Sequence, residues 1–155
     1  MDPEATSRSG LAVMAALPED REFRAAYQIL ELLGRGSFGV VMRALHLPTG
    51  REVAIKLLSE VHDEDARGRF LREARVLAGM RHPAVVRIYD VGTVGRLPYM
   101  ALELLPGGDL ELWMRSAGRV AVPDALRLMI PVAGALGHFH ALGITHRDVK
   151  PANIL

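Results

Sequence analysis

The sequence predicts an α+β chain in which strands are gathered first and helices last. Three observations carry that prediction. Residues 27–105 are dominated by short runs rich in β-branched and apolar residues, parted by Gly, Pro and Thr. One amphipathic helical stretch interrupts those runs. After the break "PGGD" the pattern turns helical over two stretches. The 155 residues make one domain by length, or part of a larger one, and an apolar content of 50% is enough for a real core.

Residues 1–26 read as an N-terminal tail. "MDPEATSRSG" is small and polar, and "LPEDREFRAA" is at most a short helical turn. From Tyr27 the runs "YQILELLGRG", "GVVMRALH" and "REVAIKLL" read as successive antiparallel strands, with "LPTG" turning between the second and third. "DEDARGRFLREARVLAGM" reads as a helix: Phe70, Ala74 and Leu77 share one face, and Arg69, Arg72 and Arg75 lie on the other. His82-Pro83 ends it. "AVVRIYDVG" and "LPYMALELL" are two further strands. Helices follow over 109–117 and 123–142, and Pro131 predicts a kink or a wide turn in the second. There is no internal repeat and no low-complexity run.

Composition excludes several classes. A net charge of +1 gives no reason to expect nucleic acid as a partner. With no cysteine, neither a disulfide framework nor a Cys-based zinc site is possible, and a reducing, cytoplasmic setting is expected. No stretch approaches the roughly 18 unbroken apolar residues of a membrane span. "LAVMAAL" is too short and lacks a preceding basic run, so no secretory signal is expected. Of the 19 basic residues only Lys56 and Lys150 are lysines. Lysine is a compact point charge, so the two places where it replaces arginine draw attention.

Three motifs carry chemistry. "GRGSFGVV" sets Gly34, Gly36 and Gly39 at G-x-G-x-x-G, a spacing that lets backbone N–H groups approach phosphates. A dinucleotide fold needs strand, glycines, then helix; here strand-like sequence lies on both sides, which fits a glycine-rich hairpin over a nucleotide. In "VAIK", Lys56 either points to solvent by strand alternation or offers a charge to phosphate oxygens. Glu73 is a candidate to hold it, lying about 60° from the centre of the apolar helix face at roughly 100° per residue. Glu73 could equally be a surface partner of Arg69 or Arg72. In "HRDVKPANIL", Asp148 can accept a proton from a hydroxyl, Lys150 can stabilise a transferring phosphoryl group and Asn153 can bind a metal through its oxygen. The bland alternative is a polar turn in which Asp and Asn are caps.

The ordered set G-x-G-x-x-G-x-V, V-A-I-K, a helix Glu and H-R-D-x-K-P-x-N resembles the eukaryotic-like protein kinases. The Lys two residues after the Asp, followed by Pro, is similar to the serine/threonine branch. "FLREARVLAGMRHPAVVRIYDVG" and "HALGITHRDVKPANIL" resemble its bacterial members. The resemblance covers residues 27–155. It implies a protein-kinase-like fold with a complete small lobe (27–102) of five antiparallel strands and one helix. A hinge (103–108) and the first helices of a large lobe, through the catalytic loop (109–155), would follow. It implies transfer of the ATP γ-phosphoryl group to Ser or Thr hydroxyls of a protein substrate, with Mg2+. Asp148 and Lys150 would be catalytic and Asn153 a metal ligand. Leu33, Gly34, Gly36, Gly39, Lys56 and Glu73 would serve the nucleotide. Val41 and Ala54 would sandwich the base, next to a gatekeeper at Leu102. Glu103 and Leu105 would offer backbone groups to the adenine, and Asp109 would lie near the ribose or cap the next helix.

In the family's order D-F-G and A-P-E come next, and the D-F-G Asp shares the metals with the catalytic-loop Asn. This sequence ends two residues after Asn153. The expectation is an incomplete sequence or a truncated product, without measurable kinase activity as it stands. The alternative is a nucleotide-binding, non-catalytic pseudokinase-like module or an inactive fragment. Part of the helix side carrying Met129, Val132, Ala133, Leu136 and His140 is then expected to be exposed.

Overall fold

The computed structural model describes residues 20–36, 39–58 and 64–155. The elements are α1 (Arg21–Ala26), β1 (Tyr27–Gly36), β2 (Gly39–His46), β3 (Arg51–Leu58), α2 (Glu64–Ala78), β4 (Ile88–Val94), β5 (Leu97–Glu103), α3 (Leu110–Ala117) and α4 (Val122–Ala141), with a 3-10 turn at Pro151–Asn153. The chain divides into two compact units. One runs through Arg81 and resumes at Val86–Leu104; the other is His82–Val85 with Leu105–Leu155.

The first unit is a five-stranded sheet in the order β1-β2-β3-β5-β4, with every neighbouring pair antiparallel. Strand alternation sorts its side chains. Met42 and Ala44 of β2, Val53, Ile55 and Leu57 of β3, and Tyr99 and Ala101 of β5 point to one face and are buried. The sheet curls enough for Tyr27 on edge strand β1 to donate to Asp90 Oδ2 on the other edge strand, at 3.1 Å. Tyr99 donates to the same oxygen at 2.8 Å. Burial first, and then the Asp90 carboxylate, push both phenols far above the ordinary tyrosine range. Gly92 pairs with Tyr99, and a Cβ there would sit 2.7 Å from the ring, so this strand position requires glycine.

The expected tail is shorter than predicted. Asp20 caps α1 by accepting from the Phe23 N–H at 3.0 Å and takes a second N–H from Gly95 at 3.2 Å. These bonds, the Phe23 one foremost, hold its carboxyl below the usual range. Phe23 is 5% exposed and packs against Tyr27 and Tyr99, at ring-centroid distances of 5.3 and 5.1 Å. Residues 20–26 therefore belong to the sheet unit; a single aromatic on a six-residue helix was too faint a signal to read from sequence.

Other boundaries moved for local reasons. The strand expected from Ala84 begins at Ile88, because His82 holds the preceding turn: its Nδ1 accepts the Ala84 N–H at 3.1 Å and its carbonyl the Val85 N–H at 3.0 Å. On α2, Ala74 is buried and Arg69, Arg72 and Arg75 are exposed, as the pattern required. In the second unit α4 continues across Pro131 as one helix of 20 residues, so no wide turn divides it. Its buried residues are Ala135 and Phe139; Met129, Ala133 and His140 are exposed, and Val132 and Leu136 half-buried. No helix among the described residues is long and apolar enough to cross a membrane.

Candidate functional site

Register builds the first half of the site. Gly34 pairs with Val41, Val41 with Lys56, and Lys56 with Met100. Directly paired residues share a face of a sheet, so these four form one row across β1, β2, β3 and β5. Ala54, paired with Leu102, lies in the next row of the same face. The core residues Met42 and Ile55 occupy the opposite face. Residues far apart in sequence, Gly34, Val41, Ala54, Lys56 and Leu102, are thus brought to one surface by strand alternation together with the register of the four strands.

The glycine-rich segment is a tight hairpin in which Gly36 pairs with Gly39; Ser37 and Phe38 lie outside the described residues. Gly39 has φ +130, and a Cβ there would collide with the Leu57 carbonyl, so the hairpin lies directly on β3. Gly34 is different: a Cβ there would meet nothing within 4 Å, which leaves open space in front of the row. Leu33 falls in the irregularity between Leu32 and Gly34 and is exposed.

Lys56 is half-buried on this face, while Glu73 is exposed. Among the described residues no ion pair joins them, so the structure does not bring the expected pair together. Glu73 is one residue, about 100° round the helix, from the buried Ala74. The Glu103 N–H donates to the Arg87 carbonyl at 2.8 Å and so is not open to a ligand; Leu105 is exposed.

In the second unit Asp148, Lys150 and Asn153 come together. Lys150 Nζ lies 2.9 Å from Asp148 Oδ2. Asn153 Nδ2 donates to the Asp148 carbonyl at 2.8 Å and to Oδ2 at 2.9 Å. Both partners are acceptors, which fixes the amide orientation and leaves Asn153 Oδ1 free to bind a cation. Asp148 is exposed, and its carboxyl is held below the usual range by the Lys150 hydrogen bond first and then by that of Asn153. The described residues contain no cluster of three or more His, Asp or Glu able to bind a metal. Asn153 fits as one neutral oxygen ligand for magnesium, an ion that takes such donors beside water and phosphate. Asp109 is the N-cap of α3, its Oδ1 accepting from the Leu112 N–H at 2.8 Å.

Two neighbours had no role in the reading of the sequence. His146 Nδ1 accepts the Asp148 N–H at 3.3 Å. Arg147 has φ 63, the one described non-glycine residue in the left-handed region, so the tight turn before Asp148 carries local strain. A non-glycine residue at positive φ leaves no mark in the sequence.

The comparisons with known proteins agree with this geometry. The protein kinase domain model matches residues 27–155, and the chain belongs to that family. The serine/threonine-protein kinase PknE of Mycobacterium tuberculosis is 40% identical over 131 residues, covering 83% of this chain and 23% of PknE. The serine/threonine-protein kinase PkaA of Streptomyces coelicolor is 39% identical over 142 residues, 83% of this chain and 26% of PkaA. The crystal structure of Rad53 1-466 in complex with AMP-PNP matches with a TM-score of 0.74 at 31% identity, covering 83% of this chain and 34% of that one. The five-stranded antiparallel sheet with its helices is accordingly a protein kinase fold. The chain spans about a fifth to a quarter of the length of these curated relatives.

Proposed function

We propose that this chain carries the nucleotide-binding sheet and the catalytic loop of a cytoplasmic serine/threonine protein kinase. The reaction is transfer of the ATP γ-phosphoryl group to a Ser or Thr hydroxyl of a protein. The observation that carries this reading is the cluster of Asp148, Lys150 and Asn153, closed by bonds of 2.8–2.9 Å. One carboxylate faces a hydroxyl, one cation faces the migrating charge and one amide oxygen is left for magnesium. The Asp148 carboxyl is held low, so it orients the hydroxyl in the ground state and takes the proton late. The backbone of Gly34, Gly36 and Gly39 cradles the phosphates, with Lys56 on the same face as Gly34; Val41, Ala54 and Leu33 flank the base. The Glu103 carbonyl and Leu105 N–H meet the adenine. Asp109 keeps one carboxylate oxygen for the ribose beyond its capping bond.

Magnesium supplies charge neutralisation of the phosphates. The described residues offer it one amide oxygen, so the 155 residues alone bind nucleotide without transferring phosphate. The test is titration calorimetry of the chain with ATP, with and without magnesium, beside a labelled γ-phosphate assay. Lys56→Met should weaken binding at least severalfold and Asp148→Asn should leave it unchanged. Equal binding by all three proteins would refute the assignment of Lys56.

One observation favours a second reading, a nucleotide-binding module without catalysis: Lys56 has no carboxylate partner among the described residues. On that reading Glu73→Gln has no effect on nucleotide binding.

A further inference from the structure

The segment Ile144–Leu155 contains no buried residue. Ile144, Ala152 and Ile154 are half-buried and the 3-10 turn lies against α3, so hydrogen bonds share with that packing the hold on the exposed catalytic groups. Inside the segment those bonds are local. The Asn153 N–H donates to the Lys150 carbonyl at 2.9 Å and the Ile154 N–H to the Pro151 carbonyl at 3.1 Å. Beyond Ile144, one backbone bond alone among the described residues ties the segment to a helix or strand: the Leu110 N–H donates to the Ile154 carbonyl at 2.7 Å.

The first N–H groups of any helix have no partner inside it. In α3 the Leu112 N–H is taken by the Asp109 side chain, and the Leu110 N–H is taken by the residue after Asn153. Ile154 is thereby fixed on both sides, its N–H in the 3-10 turn and its carbonyl on α3.

We propose that the Leu110 backbone N–H is a positioning group for the catalytic loop, holding Asn153, and through it Asp148, in register with Asp109. The inference rests on the kinase reading above for its consequence: the metal-binding amide and the ribose-facing carboxylate are set by one helix start and are not independent. The helix supplies a donor that every residue except proline possesses, which is why no motif marks it.

Proline removes this donor with little else. Leu110 is the first residue of α3, the one helical position where proline is favoured. Asp109, at φ −103 and ψ 165, already has the extended backbone that a following proline demands. Leu110→Ala is the control, since it trims the same side chain and keeps the N–H.

The experiment is NMR on the 15N-labelled 155-residue chain, reading the solvent exchange and the chemical shifts of the Asn153 side-chain amide. In Leu110→Pro, amide exchange should rise about three- to tenfold, the worth of one net hydrogen bond, and the Asn153 side-chain amide shifts should move away from their wild-type positions. Leu110→Ala should leave both near wild type. Trp113 fluorescence verifies that α3 persists. If α3 is lost in the proline variant, an amide-to-ester replacement at Leu110, which deletes only the N–H, decides the question by the same two readings. Unchanged exchange and shifts with α3 intact, or equal changes in the alanine variant, would overturn the proposal. Mn2+ with ATP, added to the wild-type chain, tests the kinase reading separately. Failure to broaden the Asn153 signal rejects the metal role, while the exchange comparison still decides the positioning role.

Discussion

The two units of this chain are held together by different forces. In the sheet unit Met42, Ala44, Ile55, Val94 and Ala101 are wholly buried and form one cluster with Phe23 and the tyrosines. In the helical unit the buried residues are Ala135 and Phe139, while Val122 is 72% and Ile130 66% exposed. Apolar burial contributes roughly 25 cal/mol per Å², so the first unit has its own thermodynamic anchor and the second leans on caps and loop hydrogen bonds. The chemistry divides the same way. The glycines and Lys56 proposed for the nucleotide stand on a packed sheet; Asp148, Lys150 and Asn153 stand on an exposed loop closed by polar bonds. A packed surface suits a site that must keep its shape, and a polar loop suits groups whose charge must stay in contact with water.

The chain carries its own reporters for this contrast. The three tyrosines, Tyr27, Tyr89 and Tyr99, lie in the sheet unit, and the single tryptophan, Trp113, lies in the helical one. In urea, Trp113 fluorescence should change before the tyrosine near-UV signal; coincident transitions would break the comparison. The largest single effect is expected from Ile55→Ala, which should cost about 3 kcal/mol and move the tyrosine transition far more than that of Trp113. Gly39→Ala comes next, at about 2 kcal/mol, because a side chain there meets the Leu57 carbonyl at a φ that disfavours it. Its nucleotide affinity should fall as well, since the hairpin must shift.

Asp109→Ala should cost about 1 kcal/mol by removing the α3 cap, and here only the Trp113 transition should move. A shift of the tyrosine transition instead would mean that the units do not act separately. Ile130→Gln should change stability by no more than about 0.5 kcal/mol and raise solubility, as expected of an exposed residue. A large loss would show that this face is covered. The smallest effect concerns Asp148. Its folded carboxyl is held low, chiefly by Lys150, so Lys150→Met should raise the midpoint read by 13C NMR. The sign follows from that direction. A group held low when folded contributes stability above its unfolded value, and that contribution is lost as pH falls through the folded value. Asp148 therefore causes no change in stability between pH 5 and 8. A midpoint unmoved or lowered by Lys150→Met would remove Lys150 as the cause.

Much of this was legible from residue order. Strands at "YQILELLGRG", "GVVMRALH" and "REVAIKLL", and the Arg-faced helix after them, follow from periodicity, a local property that neighbouring residues determine. Asp148, Lys150 and Asn153 lie within six residues of one another, so spacing alone announced them. Asp109 was left open between ribose and cap, and the structure shows the capping bond. What periodicity could not give was which distant residues meet. The row Gly34, Val41, Lys56 and Met100 exists because the register of four strands aligns it, and register is set by the burial of the whole opposite face. Phe23 escaped notice because a six-residue helix has too few positions to show a period; only the tyrosines it meets, four and 76 residues away, reveal its place in the core. Glu73 was placed near the packed side by its angle on the helix, but an angle does not say how deeply the helix sits on the sheet, and the residue is exposed. The bond from Leu110 to Ile154 joins two backbone groups that every residue possesses, so composition is blind to it. Sequence determined which chemistry this chain carries and where along it; tertiary structure decided which of those groups touch, because long-range contact depends on the packing of everything between.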